Sequence, residues 1–134
     1  TEQDVVIYPA SGTGAWEAAL VNTLSPGDRV LMAETGQFAT LWKKLAERLS
    51  LHVDFVPGDW RQGVNPAEIE QRLRADTGHA IKAVCVVHNE TSTGVMAPVK
   101  RVAGTDEGAL VAIDATSGAG GLPVDAPHGR GAVR

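Results

Sequence analysis

Ser11, Gly12 and Thr13 form a small-residue loop that could bind an anion. The β-branched residues 5–8 before the loop predict a strand, and the alanine-rich run after it predicts a helix. The first turn of a helix offers free N–H groups and the positive end of its dipole, and a glycine lets a phosphate approach the backbone. The loop matches neither the Walker pattern nor G-x-G-x-x-G, so phosphate binding and simple helix capping both stay open.

Asp114 and Phe38 could contact the rest of a phosphorylated ligand. Asp114 ends an apolar run, where a carboxylate needs a partner to offset its desolvation. It could pair with a buried cationic ring nitrogen, or it could accept hydrogen bonds from its own turn, which is the commoner arrangement. Phe38 could stack on a flat cofactor, although its spacing to Leu41 and Trp42 favours a place in the apolar stripe of a helix.

The polar stretch 88–94 is a third place where a ligand could be held. Thr91 and Ser92 could donate to a ligand oxygen, but hydroxyls in loops more often bond to the neighbouring backbone. His88 and Glu90 could hold these residues in place without contacting the ligand themselves.

Other kinds of chemistry have little support in this sequence. The four histidines and Cys85 lack the spacing of a metal site, so no metal ligand is predicted. Cys85 lies in an apolar run, which favours a buried structural thiol over a reactive one. The G-x-S-x-G motif of a hydrolase elbow is not present.

Composition and charge narrow the class of protein. The 134 residues include 43% hydrophobic and 21% charged side chains, with a net charge of −4. Without a basic cluster, nucleic acid is not an expected partner. No apolar run approaches the roughly 20 residues of a membrane span, and the start lacks a signal-peptide layout. A single cysteine cannot form an internal disulfide, which is typical of a protein in a reducing compartment. We therefore expect a cytoplasmic protein, and we do not expect a membrane as a partner.

The elements that must position these residues alternate between strands and helices. One helix repeats Trp16, Leu20 and Leu24, and a second, amphipathic helix covers residues 38–49. A third begins with the capping residue Asn65 and runs to about residue 75. Glu68 is spaced to complete a capping box with Asn65, and Val64 and Ile69 are spaced as a hydrophobic staple. Besides residues 5–8, strands are predicted at residues 29–32, 51–56, 81–87 and 109–113, with a short edge strand at 122–124.

This alternation predicts an α/β fold: a three-layer αβα domain with a mostly parallel sheet. Ligands of such sheets bind outside the carboxyl ends of the strands. The loops after residues 8, 32, 87 and 113 are therefore the predicted site.

Taken together, these loops resemble the class V aminotransferases, a family that depends on pyridoxal 5'-phosphate. Residues 11–20, 26–28 and 88–95 are similar to serine–glyoxylate and alanine–glyoxylate aminotransferases, and residues 113–125 look more like phosphoserine aminotransferases. The resemblance implies a partial large domain of the fold-type I class over residues 1–125. Residues 126–134 have no periodicity and are expected to form an irregular tail.

The resemblance also implies roles for seven residues. The phosphate would be held by Ser11, Gly12 and Thr13, and the pyridine ring would lie between Phe38 and Thr116. The ring nitrogen would pair with Asp114, and Thr91 would lie near the phenolic oxygen. A protonated ring withdraws electrons from the α-carbon of the substrate, and the aspartate would keep it protonated.

One part of the family pattern is missing. The Schiff-base lysine of the family lies some two dozen residues past the aspartate, and the four lysines here, at 43, 44, 82 and 100, occupy other positions. We therefore expect no catalytic lysine and no transamination by these 134 residues alone. In the parent protein, the resemblance implies a homodimer acting on an amino acid and a 2-oxo acid.

Alternatives remain within and outside the family. The main alternative activity for the parent protein is that of a phosphoserine aminotransferase. Desulfurases and lyases of the same superfamily share the same cofactor-binding site. A non-catalytic α/β module that binds a phosphorylated ligand would need neither the lysine nor Asp114. A piece without function would expose strand edges and tend to aggregate.

Overall fold

The computed structural model describes residues 5–104 and 108–118. Its helices are α1 (Gly12–Thr23), α2 (Gln37–Arg48), α3 (Pro66–Ala75) and α4 (Val99–Ala103). Its strands are β1 (Arg29–Ala33), β2 (His52–Val56), β3 (Ile81–Val87), β4 (Asn89–Glu90), β5 (Val95–Met96) and β6 (Leu110–Asp114).

Four strands form one parallel sheet in the order β2-β1-β3-β6. β3 is central, with Val84 opposite Leu31 of β1 and Val111 of β6. The two-residue strands β4 and β5 pair antiparallel as a separate ribbon just past the end of β3. The predicted α/β class with a mostly parallel sheet is confirmed, and the carboxyl ends of all four main strands lie along one edge.

Helices cover both faces of the sheet. On one face α1 and α2 contribute Trp16, Leu20 and Trp42 to a core that includes Met32 and Cys85. On the other face α3 and α4 pack on alternate residues of the same strands, through Ile69, Leu73, Val99, Val102 and their neighbours. Burying each large side chain contributes about 1.5–3 kcal/mol, so the two cores fix the three-layer arrangement.

The start of α3 follows its sequence signals in part. Asn65 Oδ1 accepts a hydrogen bond from Ala67 N at 3.1 Å, as an N-cap should. Val64 and Ile69, predicted to staple the helix entry, are both buried in the same core. Glu68, however, accepts from the Arg72 side chain at 3.3 Å. The cap prediction is confirmed for Asn65.

Residues 5–8 do not form the predicted strand. Val5, Val6, Ile7 and Tyr8 are 69%, 70%, 87% and 52% exposed, and no strand within the described part of the chain pairs with them. A β-branched run has strand propensity, but a strand forms only where a neighbouring chain accepts its backbone hydrogen bonds.

The buried face of α2 also differs from the predicted stripe. Its buried residues are Ala39, Trp42 and Ala46, whereas Phe38 and Leu41 are each 37% exposed. The helix therefore turns the face centred on Trp42 toward the sheet, and Phe38 and Leu41 lie beside that face. The short helix α4 had no predicted counterpart.

Two predictions fall outside the described residues, namely the edge strand at 122–124 and the tail at 126–134. Within the described ranges, no helix has the length and apolar character to cross a membrane.

Candidate functional site

The loop before α1 leaves its donors free. Ser11 is the N-cap residue in an extended conformation, yet its side chain makes no capping hydrogen bond. Its carbonyl accepts from Gly14 N at 2.9 Å and from Ala15 N at 3.3 Å. Among the described residues, nothing accepts from the N–H groups of Gly12 and Thr13, which point out of the first turn. This geometry favours the anion-binding interpretation of the loop over simple capping by a hydroxyl.

Asp114 is a buried carboxylate with an oxygen to spare. It is the last residue of β6 and only 8% exposed. Oδ1 accepts from Thr116 N at 2.9 Å, which is the local turn considered for this residue. Within the described part of the chain, no cationic side chain pairs with the carboxylate and Oδ2 accepts no hydrogen bond. The local-turn interpretation is therefore confirmed for Oδ1, and pairing of the other oxygen with a cationic partner stays a prediction.

The loop after β6 packs directly on the N-terminus of α1. A Cβ added to Gly12 would lie 3.2 Å from Thr116 Oγ1, closer than ordinary contact allows. Glycine therefore lets the two loops meet. Thr116, which is exposed, thus lies between the free N–H groups of α1 and the carboxylate of Asp114.

The loop after β3 is tied to the same place by hydroxyls. Thr91 Oγ1 donates to Ser117 Oγ at 2.6 Å, and Ser117 Oγ donates to the carbonyl of Asn89 at 2.8 Å. Thr91 is exposed, so rotation of its hydroxyl would let it donate to a ligand instead. The loop hydroxyls thus make the local hydrogen bonds expected of them. These bonds place Thr91 beside the loop that follows Asp114.

Phe38 stands at the edge of the aromatic core. Its ring meets Trp16 edge-on, with centroids 6.4 Å apart and planes inclined at 69°. Trp16 in turn stacks on Trp42 at 5.5 Å. Because Phe38 is 37% exposed, part of its ring remains open for a flat ligand. The structure thus places it outside the buried stripe of α2.

The sequence predicted a supporting role for Glu90 but not its position at the start of α2. It is fully buried, and its carboxylate accepts from the backbone of Phe38 at 3.2 Å and of Ala39 at 3.1 Å. Ser92 adds a hydroxyl donor at 2.7 Å and a backbone donor at 3.3 Å. The available signal was indirect: α2 begins with Gly36 and Gln37 and lacks a capping side chain of its own.

Two other residues near the strand ends are buried. His88 N donates to the Asp114 carbonyl at 2.8 Å, and its ring is buried with Nδ1 bonded to none of the described residues. Cys85 is buried in the core below, and desolvation raises the pKa of its thiol to about 12. The prediction of a buried structural thiol is confirmed.

The lysines lie away from this edge of the sheet. Lys43 pairs with Glu47 at 2.6 Å and lies over the Phe55 ring. Lys82, near the start of β3, donates to the His79 carbonyl at 2.9 Å, which is at the amino-terminal edge. Lys44 is exposed on α2, and Lys100 is on α4 across the sheet.

Comparison with known proteins identifies relatives of the whole described region. Residues 1–128 match the family model described as aminotransferase class-V. A serine–glyoxylate aminotransferase from Methylorubrum extorquens is 48% identical over 130 residues, which are 94% of this chain and 32% of that protein. The serine–glyoxylate aminotransferase of Arabidopsis thaliana is 50% identical over 96 residues, 72% of this chain and 24% of that protein.

The fold has counterparts among solved structures. The crystal structure of an alanine–glyoxylate aminotransferase from Nostoc sp. superposes with a TM-score of 0.76 and 31% identity, covering 84% of this chain and 29% of that one. The chain therefore spans about a quarter to a third of the length of the relatives it matches.

Proposed function

We propose that this chain, which belongs to the class V aminotransferase family, forms the phosphate- and ring-binding part of a transaminase that uses pyridoxal 5'-phosphate. One observation carries the proposal: a buried carboxylate with a free oxygen, Asp114, lies on the loop that packs against the open N-terminus of α1. A cationic ring and a phosphate on one molecule would satisfy both.

The residues present fit this cofactor. Ser11, Gly12 and Thr13 would hold the phosphate through hydroxyl and N–H donors that the described residues leave unused. Phe38 and Thr116 would contact the two faces of the ring. Thr91 would donate near the phenolic oxygen, and Asp114 would face the ring nitrogen.

Each group would act through simple electrostatics. A helix N-terminus stabilises an anion by about 0.3–1 kcal/mol, and by about 2 kcal/mol where partly buried. The carboxylate of Asp114, held by the N–H of Thr116 and shielded from water, would hold a proton on the ring nitrogen. When bound, the protonated cofactor draws electrons from the α-carbon of an amino-acid substrate. The chain's own contribution is to bind, orient and charge that ring.

The activity of the whole protein is inferred from its relatives. We propose amino transfer from serine or alanine to glyoxylate, since the relatives above are named for that acceptor. The cofactor-linking lysine and the groups that bind the substrate carboxylate would come from parts of the protein other than these 134 residues. A homodimer in the cytoplasm completes the proposal.

Titration with pyridoxamine 5'-phosphate tests the proposal, because this probe has no aldehyde that could react with surface lysines. In Asp114→Asn the amide oxygen can still accept from Thr116 N, while the charge is lost. We expect the probe to bind about tenfold or more weakly, the scale of a charge-assisted hydrogen bond. The affinity for inorganic phosphate should stay unchanged.

The matched control is Asp54→Asn, which removes a carboxylate from a half-exposed ion pair with Arg29. That change should leave both affinities as they are. A phosphate-binding module without the cofactor would lose affinity for neither probe in Asp114→Asn, and that outcome would contradict the proposal.

A further inference from the structure

The carboxylate of Glu90 lies where two parts of the candidate site meet. It is fully buried, and no cationic side chain in residues 5–104 and 108–118 pairs with it. Its donors are the N–H groups of Phe38 and Ala39 on one side, and the N–H and hydroxyl of Ser92 on the other. Within the described ranges, the buried carboxylate is therefore stabilised by hydrogen bonds and by the N-terminus of α2.

The start of α2 is capped by a remote segment of the chain. Ser92 Oγ accepts from Gln37 N at 3.0 Å, so three successive N–H groups of the helix, at residues 37, 38 and 39, all bond to residues 90 and 92. The close approach depends on Gly36, because a Cβ there would lie 2.6 Å from Glu90 Cδ and 2.7 Å from Ser92 Oγ.

We propose that Glu90 is a positioning residue that holds Phe38 at its place over the cofactor ring relative to Thr91. The inference rests on the function proposed above. Glu90 precedes Thr91 in the chain and accepts from the backbone of Phe38, so one carboxylate links the residue beside the phenolic oxygen to the aromatic that stacks on the ring.

A purely structural cap would predict something different. A cap stabilises its helix, and losing it lowers the free energy of unfolding without changing how a folded molecule binds a ligand. A positioning residue also sets the affinity of the folded molecule for the ring, while binding of phosphate at α1 stays unchanged. The ratio of the two affinities therefore separates the two roles.

The experiment compares Glu90→Gln with Glu47→Gln, the same chemical change on the exposed face of α2. Among the described side chains, Glu47 pairs with Lys43 alone. Amide hydrogen exchange without ligand reports whether the N–H groups of Phe38 and Ala39 have lost their acceptor. Titrations under conditions where each variant is folded give the affinities for pyridoxamine 5'-phosphate and for inorganic phosphate.

In Glu90→Gln the amide oxygen can still accept, whereas the NH2 group that replaces the other carboxylate oxygen cannot. Because Oε1 already accepts from Phe38 and Ser92, we expect faster exchange at Ala39, whose N–H bonds to Oε2. We also expect binding of pyridoxamine 5'-phosphate about three- to tenfold weaker, the scale of one lost aromatic contact. Phosphate affinity should not change, and Glu47→Gln should match the wild type in every readout. If Glu90→Gln does not fold, Ser92→Ala removes one donor to the carboxylate and the acceptor of Gln37 N. It should then weaken binding of the ring in the same selective way.

Two results would overturn the inference, and they are distinguishable. Faster exchange with unchanged affinity for pyridoxamine 5'-phosphate would make Glu90 a structural cap and leave the proposed function standing. Failure of the wild type to bind the probe at all would refute the proposed function and its dependent inference together, even with Phe38 and Ala39 protected.

Discussion

Gly36→Ala should destabilise the fold far more than an ordinary glycine substitution. The new Cβ would lie 2.6 Å from Glu90 Cδ and 2.7 Å from Ser92 Oγ, with Glu90 Cγ closer still. Overpacking of this kind costs about 1–3 kcal/mol. If Glu90 moves away, the helix loses a cap worth about 0.5–2 kcal/mol. These two costs are alternative ways of relieving the same clash, so we expect a loss of about 1–3 kcal/mol.

Gly78→Ala is the matched control, because nothing lies within 4 Å of the Cβ it would add. Restricting the unfolded chain should leave that variant unchanged or more stable by up to about 1 kcal/mol. Trp16 of α1 and Trp42 of α2 stack on each other in the core. Urea unfolding followed by their fluorescence measures the change in stability of each variant.

A double-mutant cycle identifies the cause. Glu90→Ala removes the atoms that the new methyl group would meet, so Gly36→Ala should cost less by at least about 1 kcal/mol in that background. A cost for Gly36→Ala below about 0.5 kcal/mol in the wild type, or an equal cost in both backgrounds, would refute the steric argument.

Three further predictions test other parts of the account. The N–H of Ile81 lowers the pKa of Asp76 below its ordinary 3.8. The Asp76 carboxylate therefore stabilises the fold at pH values above its unfolded-state pKa. This stabilisation is lost as the pH falls through the lower pKa of the folded state. The advantage of the wild type over Asp76→Asn in urea unfolding should shrink below about pH 4, and a pH-independent difference would contradict this. Because burial raises the pKa of Cys85 to about 12, Ellman's reagent should label this thiol at pH 8 only in denaturant; rapid labelling of the folded chain would show it to be accessible. Phe38→Ala should weaken binding of pyridoxamine 5'-phosphate about three- to tenfold, whereas Leu41→Ala, equally exposed on the same helix, should not; equal effects would remove Phe38 from the site.

Local patterns in the sequence predicted most of the fold. The apolar run 81–87 became the central strand because a strand covered on both faces has little need for polar residues. Asn65 caps α3 because it sits next to the helix it serves. The loops after residues 32, 87 and 113 lie at one edge, since the carboxyl ends of parallel strands share it. The loop at Ser11 follows no strand of the sheet and joins them through the contact of Gly12 with Thr116.

What the sequence did not reveal depends on distant partners. Glu90 accepts from the N–H of Phe38, 52 residues earlier in the chain, and no local motif records such a pairing. Residues 5–8 have the composition of a strand but no neighbour among the described strands. The outward position of Phe38 depends on which residues of α2 face the sheet, namely Ala39, Trp42 and Ala46, and spacing alone does not give this rotation of the helix.

A crystal structure of the chain with pyridoxamine 5'-phosphate would show where the phosphate and the ring bind. We expect the phosphate at the N–H groups of Gly12 and Thr13, the ring between Phe38 and Thr116, and the ring nitrogen within hydrogen-bond distance of the free oxygen of Asp114. A phosphate bound at α1 with the ring nitrogen in solvent, or a probe bound away from this edge of the sheet, would contradict this expectation.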